Sequence, residues 1–171
     1  GGVEMNIIVC IKQVPNTTQI KMDPVTGVMD RTGIPSIMNP DDKVALEYAL
    51  RLKDDVSGHV TVITMGPMQA KKVLFEAIAM GADKAILLSD RAFAGADTLA
   101  TSKALAALIK TLPHDLIIAG RQAIDGDTAQ VGPQIAEHLK IDQVTYVSNV
   151  EVFEDGLKVT RTFEDRYQVY K

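Results

Sequence analysis

Cysteine is almost missing from this chain: Cys10 stands alone in 171 residues. No internal disulfide is possible, and a reducing cytoplasm is the expected setting. No apolar run approaches the ~20 residues that a membrane-crossing helix needs. No excess of positive charge is present either. The 18 Lys and Arg are scattered and outnumbered by 22 Asp and Glu, for a net charge of -4, which argues against a surface that tracks nucleic-acid phosphates. His59, His114 and His138 fall at unrelated positions, with no His-Glu-x-x-His and no paired Cys-x-x-Cys, so no metal centre is expected. A Gly-x-Ser-x-Gly elbow is also lacking, and the chain offers no self-sufficient catalytic constellation. Two nucleotide fingerprints are absent as well: no Gly-x-Gly-x-x-Gly follows the first strand, and no Gly-x-x-x-x-Gly-Lys-Ser/Thr occurs. Any nucleotide must be held another way.

What is present suits one globular domain. Apolar residues make up 46% and charged residues 23%, enough to bury a full core and too ordinary for disorder. Gly1-Gly2-Val3-Glu4 ahead of Met5 read as an addition outside the fold, which leaves 5–171 as a single nucleotide-binding α/β domain. Met5 to Ile11 is short, β-branched and nearly continuous, the pattern of a strand buried on both faces. Pro15 to Pro35 mixes Pro, Gly, Thr and Asp around Asp23-Pro24-Val25-Thr26-Gly27 and predicts a surface hairpin or irregular excursion. Asn39-Pro40 then signals a helix start, with Val44, Ala45, Tyr48, Ala49 and Leu52 on one face and an end near Asp55.

A second buried strand spans Val60 to Met65 and stops at Gly66-Pro67. The next helix carries Val73, Leu74, Ala77 and Ile78 inward and closes at Gly81. Lys84 to Leu88 is a third strand, Asp97 to Thr111 a helix with Leu105, Leu108, Ile109 and Leu112 inward, and His114 to Ala119 a fourth strand. A last helix ends at Lys140, with its start at Thr128 or at Pro133 as a first-turn residue. Beyond Gln143 the period drops to two. A terminal antiparallel hairpin turning at Glu154-Asp155-Gly156, with a further strand at Tyr167 to Tyr170, is expected. The chain stops inside that strand pattern, which reads as a shortened protein. The alternation predicts a Rossmann-like α/β fold, a mainly parallel sheet flanked by helices with right-handed crossovers and a C-terminal β-hairpin.

Ala119 to Pro133 links a strand to a helix, the place where such sheets bind ligands. Gly120, Gly126 and Gly132 permit close backbone approach, Arg121 brings a fixed positive charge, and Thr128 and Gln130 can donate hydrogen bonds beside a helix start. A phosphate-bearing ligand fits this loop. The same residues also suit a plain turn at Asp125-Gly126 with Asp127 as a helix cap. Ser89 to Thr98 repeats the pattern with Arg91, Gly95 and the pair Asp97-Thr98, which strengthens the anion reading. Asp125 and Asp127 flank a glycine and read as turn-former and cap rather than an acid–base pair, and Cys10, mid-strand, reads as a small core residue.

Met5-Asn-Ile-Ile-Val-Cys-Ile-Lys-Gln-Val-Pro-Asn, Met38-Asn39-Pro40, Thr64-Met65-Gly66-Pro67, Ala79-Met80-Gly81-Ala82-Asp83 and Gly120-Arg121-Gln122-Ala123-Ile124-Asp125-Gly126-Asp127 follow one another in order. Together they resemble the electron transfer flavoprotein β subunit, from Met5 to about Lys171. The resemblance implies an adenine-nucleotide-hydrolase-like, Rossmann-type domain, an α-subunit partner that holds a redox FAD, and electrons received from dehydrogenases. Ser89-Asp90-Arg91-Ala92-Phe93, Gly95 to Ser102 and Asp127 to Pro133 are similar to the flavin-bifurcating members from anaerobes, although Ala94 stands where many of those have Gly. That subgroup implies a second FAD in the β subunit, where ordinary members bury AMP. It further implies NADH as hydride donor, with one electron sent to ferredoxin or flavodoxin and one through the α-subunit FAD to an acyl-CoA dehydrogenase or quinone.

Carried over by position, the resemblance puts Cys10, Asn39, Asp41, Met65 and the stretch from Gly120 to Val131 around the adenosine and its phosphate. Within that stretch the residues are Gly120, Arg121, Gln122, Asp125, Gly126, Asp127, Thr128, Ala129, Gln130 and Val131. It puts Asp97, Thr98 and Thr101 on the rest of the FAD diphosphate, and Ser89, Asp90, Arg91 and Gly95 near the nicotinamide nucleotide. Family members continue past the terminal hairpin with a segment that grips the α subunit, and Lys171 precedes it. Two other readings stay open: an ATP-binding stress or signalling module on the same fold, and a plain structural domain.

Overall fold

The run Met-Asn-Ile-Ile-Val-Cys forms strand β1 (Met5–Cys10), and its alternation decides where the core lies. Ile7, Val9 and Ile11 enter one apolar cluster, whereas Ile8 and Cys10 enter another on the opposite face. A computed structural model describes the chain over residues 4–16, 21–27, 29–30, 34–89, 98–120, 131–141, 147–153, 156–161 and 164–170. After β1 come β2 (Gln13–Pro15), β3 (Lys21–Met22), β4 (Met29–Asp30), β5 (Ser36–Met38) and helix α1 (Pro40–Asp55). They are followed by β6 (Gly58–Met65), α2 (Lys71–Met80), β7 (Lys84–Leu88), α3 (Thr98–Lys110), β8 (Leu116–Ala119) and α4 (Val131–Leu139). The last three strands are β9 (Val147–Phe153), β10 (Gly156–Arg161) and β11 (Glu164–Tyr170).

The main sheet has the order β7-β6-β1-β8, and every pair in it is parallel. α1 and α2 cover one face, where Leu46, Ala49, Val73 and Ala77 meet Ile7, Val9, Val60 and Val62. α3 and α4 cover the other, where Leu105, Ile109 and Ile135 meet Ile8, Cys10 and Ile63. This is the expected α/β architecture. The helix faces are rotated from the expected ones. α1 buries Asp42, Ala45, Leu46, Ala49 and Leu52, whereas Val44 is 63% exposed. At 100° per residue a stripe centred on Ala45 and Ala49 takes in Leu46 and leaves Val44 outside. In α2 the inward residues are Val73, Leu74 and Ala77, and Ile78 is 43% exposed.

The hairpin around Asp23 to Gly27 is present as β3 and β4. The Asp23 side chain accepts from Val25 N–H at 2.7 Å, Gly27 N–H reaches Asp23 O at 2.9 Å, and Gly27 closes the turn at φ +69°. The Val25 and Thr26 amides, both on Asp23 Oδ1, hold the carboxyl below its usual range. A ribbon of β2 and β5 brackets the excursion and returns the chain to β1. α4 begins at Val131, with Pro133 in its first turn, where no intrahelical donor is lost. The terminal part is a three-stranded antiparallel sheet, β11-β10-β9, with a register shift between Thr160 and Arg161. It extends the expected hairpin and further strand, whose turn at Glu154 and Asp155 lies outside the described residues. Among the described residues no helix is long and apolar enough to cross a membrane.

Candidate functional site

The sheet order makes β1 the neighbour of both β6 and β8, so the chain's winding reverses between β1 and β8. Parallel sheets open a crevice outside the carboxyl ends at such a reversal. Cys10 stands opposite both Ile63 and Ala119 there, and Met65 opposite Leu88. Ile11 N–H bonds Ile63 O at 2.9 Å and Gly66 N–H bonds Leu88 O at 3.1 Å, which carries the pairing just past the strand ends.

The β2–β5 ribbon delivers α1 to this crevice. Asn39 N–H donates to Lys12 O at 2.8 Å, and Asn39 O accepts from Lys43 N–H at 3.0 Å. Asn39 is 1% exposed, yet its side chain makes no hydrogen bond to the helix backbone as a cap. It bonds the side chain of Asp42 instead. Asp42, 7% exposed, accepts the Lys12 amide on Oδ2 at 2.8 Å and also the Gly120 amide. Burial pushes the Asp42 carboxyl up to about 7 against the pull of these donors, and the nearby Asp41 charge adds to the rise. Gly120 has no room for a side chain: a Cβ there would run into the Asp42 carboxylate and stand 2.8 Å from Asp42 N.

Of the expected site residues, Cys10, Asn39 and Gly120 meet at the β1–β8 reversal, and Asp41 lies beside them, exposed in the first turn of α1. Cys10 is buried, and burial together with the Asp42 charge pushes its thiol up to about 12, which favours the neutral form. Met65 ends β6 and packs against the α3–α4 cluster, and Ser89 follows β7, exposed. Thr98 opens α3, Thr101 lies in its first turn, and Val131 opens α4. Asp90, Arg91, Gly95, Asp97, Arg121, Gln122, Asp125, Gly126, Asp127, Thr128, Ala129 and Gln130 lie outside the described residues.

The sequence reading missed Asp42. Its signal was available: Asp42 falls three and four residues before Ala45 and Leu46, inside the apolar stripe. A carboxylate there must be bonded or functional. The strand ends also hold Thr64, 1% exposed, whose Oγ1 has no partner among the described residues. Buried Asn39, the Thr64 hydroxyl and the backbone amides at the starts of α3 and α4 are each groups that could donate to a nucleotide. No three potential metal ligands come together among the described residues.

The electron transfer flavoprotein domain family matches residues 26–170. The electron transfer flavoprotein subunit beta of Clostridium acetobutylicum is 66% identical over 165 residues, which cover 96% of this chain. That of Thermoanaerobacterium thermosaccharolyticum is 61% identical over 96% of this chain. The caffeyl-CoA reductase-Etf complex subunit CarD of Acetobacterium woodii is 59% identical over the same share. The chain spans 64% of the length of each of these relatives.

Proposed function

The chain belongs to the electron transfer flavoprotein family, in its β-subunit branch, and from that premise we propose that it is the nucleotide-holding subunit of a flavin-bifurcating electron carrier. In this reading it works in a reducing cytoplasm, paired with an α subunit, and binds FAD through its ADP half. The pair takes a hydride from NADH and divides the electrons between ferredoxin or flavodoxin and an acyl-CoA dehydrogenase or quinone. The observation that carries the reading is the reversal between β1 and β8, with buried Asn39 and side-chain-free Gly120 at its edge.

The two sides of the crevice suit different parts of the ligand. The exposed Asp41 puts a carboxylate on the α1 side, which favours the uncharged adenosine over a phosphate. The starts of α3 and α4 present amides without intrahelical partners, which favour the diphosphate, and Thr101 adds a hydroxyl in the first turn of α3. Cys10, held as a neutral thiol, gives the base an apolar floor. When bound, the flavin supplies the redox chemistry, and the protein groups bind and orient it. A redox partner that handles acyl-CoA substrates is supported by the likeness to a subunit named for a caffeyl-CoA reductase complex.

Nucleotide extraction from the complex with an α subunit, followed by chromatography and mass spectrometry, tests this. Two FAD per heterodimer are expected. One FAD with one AMP overturns the bifurcating assignment in favour of a structural nucleotide, and tight ATP binding that ignores the α subunit overturns the electron-carrier assignment altogether.

A further inference from the structure

Each end of the β1–β8 pair is closed by an aspartate. At the amino ends, Asn6 N–H donates to Asp115 Oδ2 at 2.7 Å while Asp115 N–H returns a bond to Asn6 O at 2.8 Å. At the carboxyl ends, Lys12 N–H and Gly120 N–H converge on Asp42. The Asp115 clasp is exposed and takes one amide on its carboxylate, next to its own strand. The Asp42 clasp is buried and comes from a third element, α1, whose other inward residues are apolar. Burying a carboxylate in such a stripe costs free energy that an apolar residue would not, so packing alone does not account for it.

The ladder between β1 and β8 spans four residue pairs, from Ile7↔Leu116 to Cys10↔Ala119. Gly120 follows Ala119, which makes the last pair of this ladder among the described residues, and its amide is held by the Asp42 carboxylate. We propose that Asp42 is a positioning residue of the strand-end site: one buried carboxylate ties α1 to both strand ends and fixes the peptide from which the loop after β8 departs. This rests on the nucleotide reading above. Gly120 is the matching half of the device, because any side chain there would displace the carboxylate. Asp42 acts through the Gly120 and Lys12 peptides and needs no contact with the ligand.

The test compares Asp42→Ala, Asp42→Asn and Asp115→Ala with the wild type, each paired with an α subunit, in titrations with FAD and with AMP and in thermal melts. Asp42→Ala is expected to weaken nucleotide binding at least tenfold. Asp42→Asn, which keeps one acceptor oxygen, should weaken it less. Asp115→Ala should lower the melting temperature yet keep affinity within twofold of wild type, because it loosens the far end of the same strand pair. Affinity for Asp42→Ala within twofold of wild type overturns the positioning role, as does an equal loss in Asp115→Ala. If Asp42→Ala does not fold, Asp42→Asn decides, and unchanged affinity there overturns the role. A wild type that binds neither nucleotide overturns the nucleotide reading itself, an outcome distinct from all of these.

Discussion

At Asp42 the buried carboxyl titrates near 7 rather than at its ordinary 3.8. A carboxyl whose pKa is raised by folding adds stability that is complete below the unfolded value and is lost as pH rises through the folded one. Between about pH 4 and 7 the folded chain therefore holds a proton here that the unfolded chain has released, and stability from this group falls as pH rises. The charged and titratable groups beside it are Asp41, Lys12 and Cys10. Urea unfolding at pH 5 and pH 7.5 should show a wild-type loss on the order of a few kcal/mol from this source. Asp42→Asn should lack it, and a slope in the variant equal to wild type would refute the assignment. Asp83 behaves in the opposite sense. Burial raises its carboxyl, but the Val60 amide at 2.8 Å and Lys53 Nζ at 2.9 Å outweigh that and leave it below its usual range. Its contribution fades only at acid pH below the Asp42 window, so the two effects separate. At this scale the family resemblance put Asn39 and Gly120 among the expected site residues but left out Asp42, because a charged residue beside Asp41 in a first helical turn also suits the helix dipole.

Helix ends illustrate what a sequence discloses at the next scale. α2 closes with Gly81 at φ +127°, Gly81 N–H on Ile78 O at 3.0 Å and Ala82 N–H on Ala77 O at 3.1 Å, a Schellman arrangement. α4 closes in the same way, with Lys140 N–H on Glu137 O at 3.1 Å and Ile141 N–H on Ala136 O at 3.0 Å, but the residue at positive φ is Lys140, at 54°. A side chain in that region costs about 1 kcal/mol. Lys140→Gly should therefore raise stability by roughly 0.5–1 kcal/mol and Gly81→Ala lower it by about 1 kcal/mol, as opposite shifts in thermal melts. A loss on Lys140→Gly would contradict the cap geometry. The Gly81 stop was legible because glycine announces it; the Lys140 stop was legible only as a length. The β2–β5 ribbon went unread, since three-residue strands containing Pro15 have no period to detect.

Among the described residues there are two cores, one on each face of the β7-β6-β1-β8 sheet, and adjacent residues of β1 serve different ones. Ile7→Ala and Ile8→Ala should each cost about 2–5 kcal/mol, since both side chains are fully buried. Hydrogen exchange should tell them apart: Ile7→Ala speeds exchange in α1 and α2, and Ile8→Ala in α3 and α4. Equal loosening on both faces would refute the division. The alternation of strands and helices was legible because each element carries its own period. The order β7-β6-β1-β8 was not, because no local pattern records which strand edges meet. That order also sets a timetable for the nascent chain. One edge of β1 finds β6 within the first two fifths of the 171 residues. Its other edge must wait for residues that lie 109 positions downstream, roughly 5–20 s at the pace of a ribosome. For that interval β1, apolar except for Asn6, has an open edge facing other newly made chains. The edge at which the sheet order reverses is thus the one left waiting longest during synthesis.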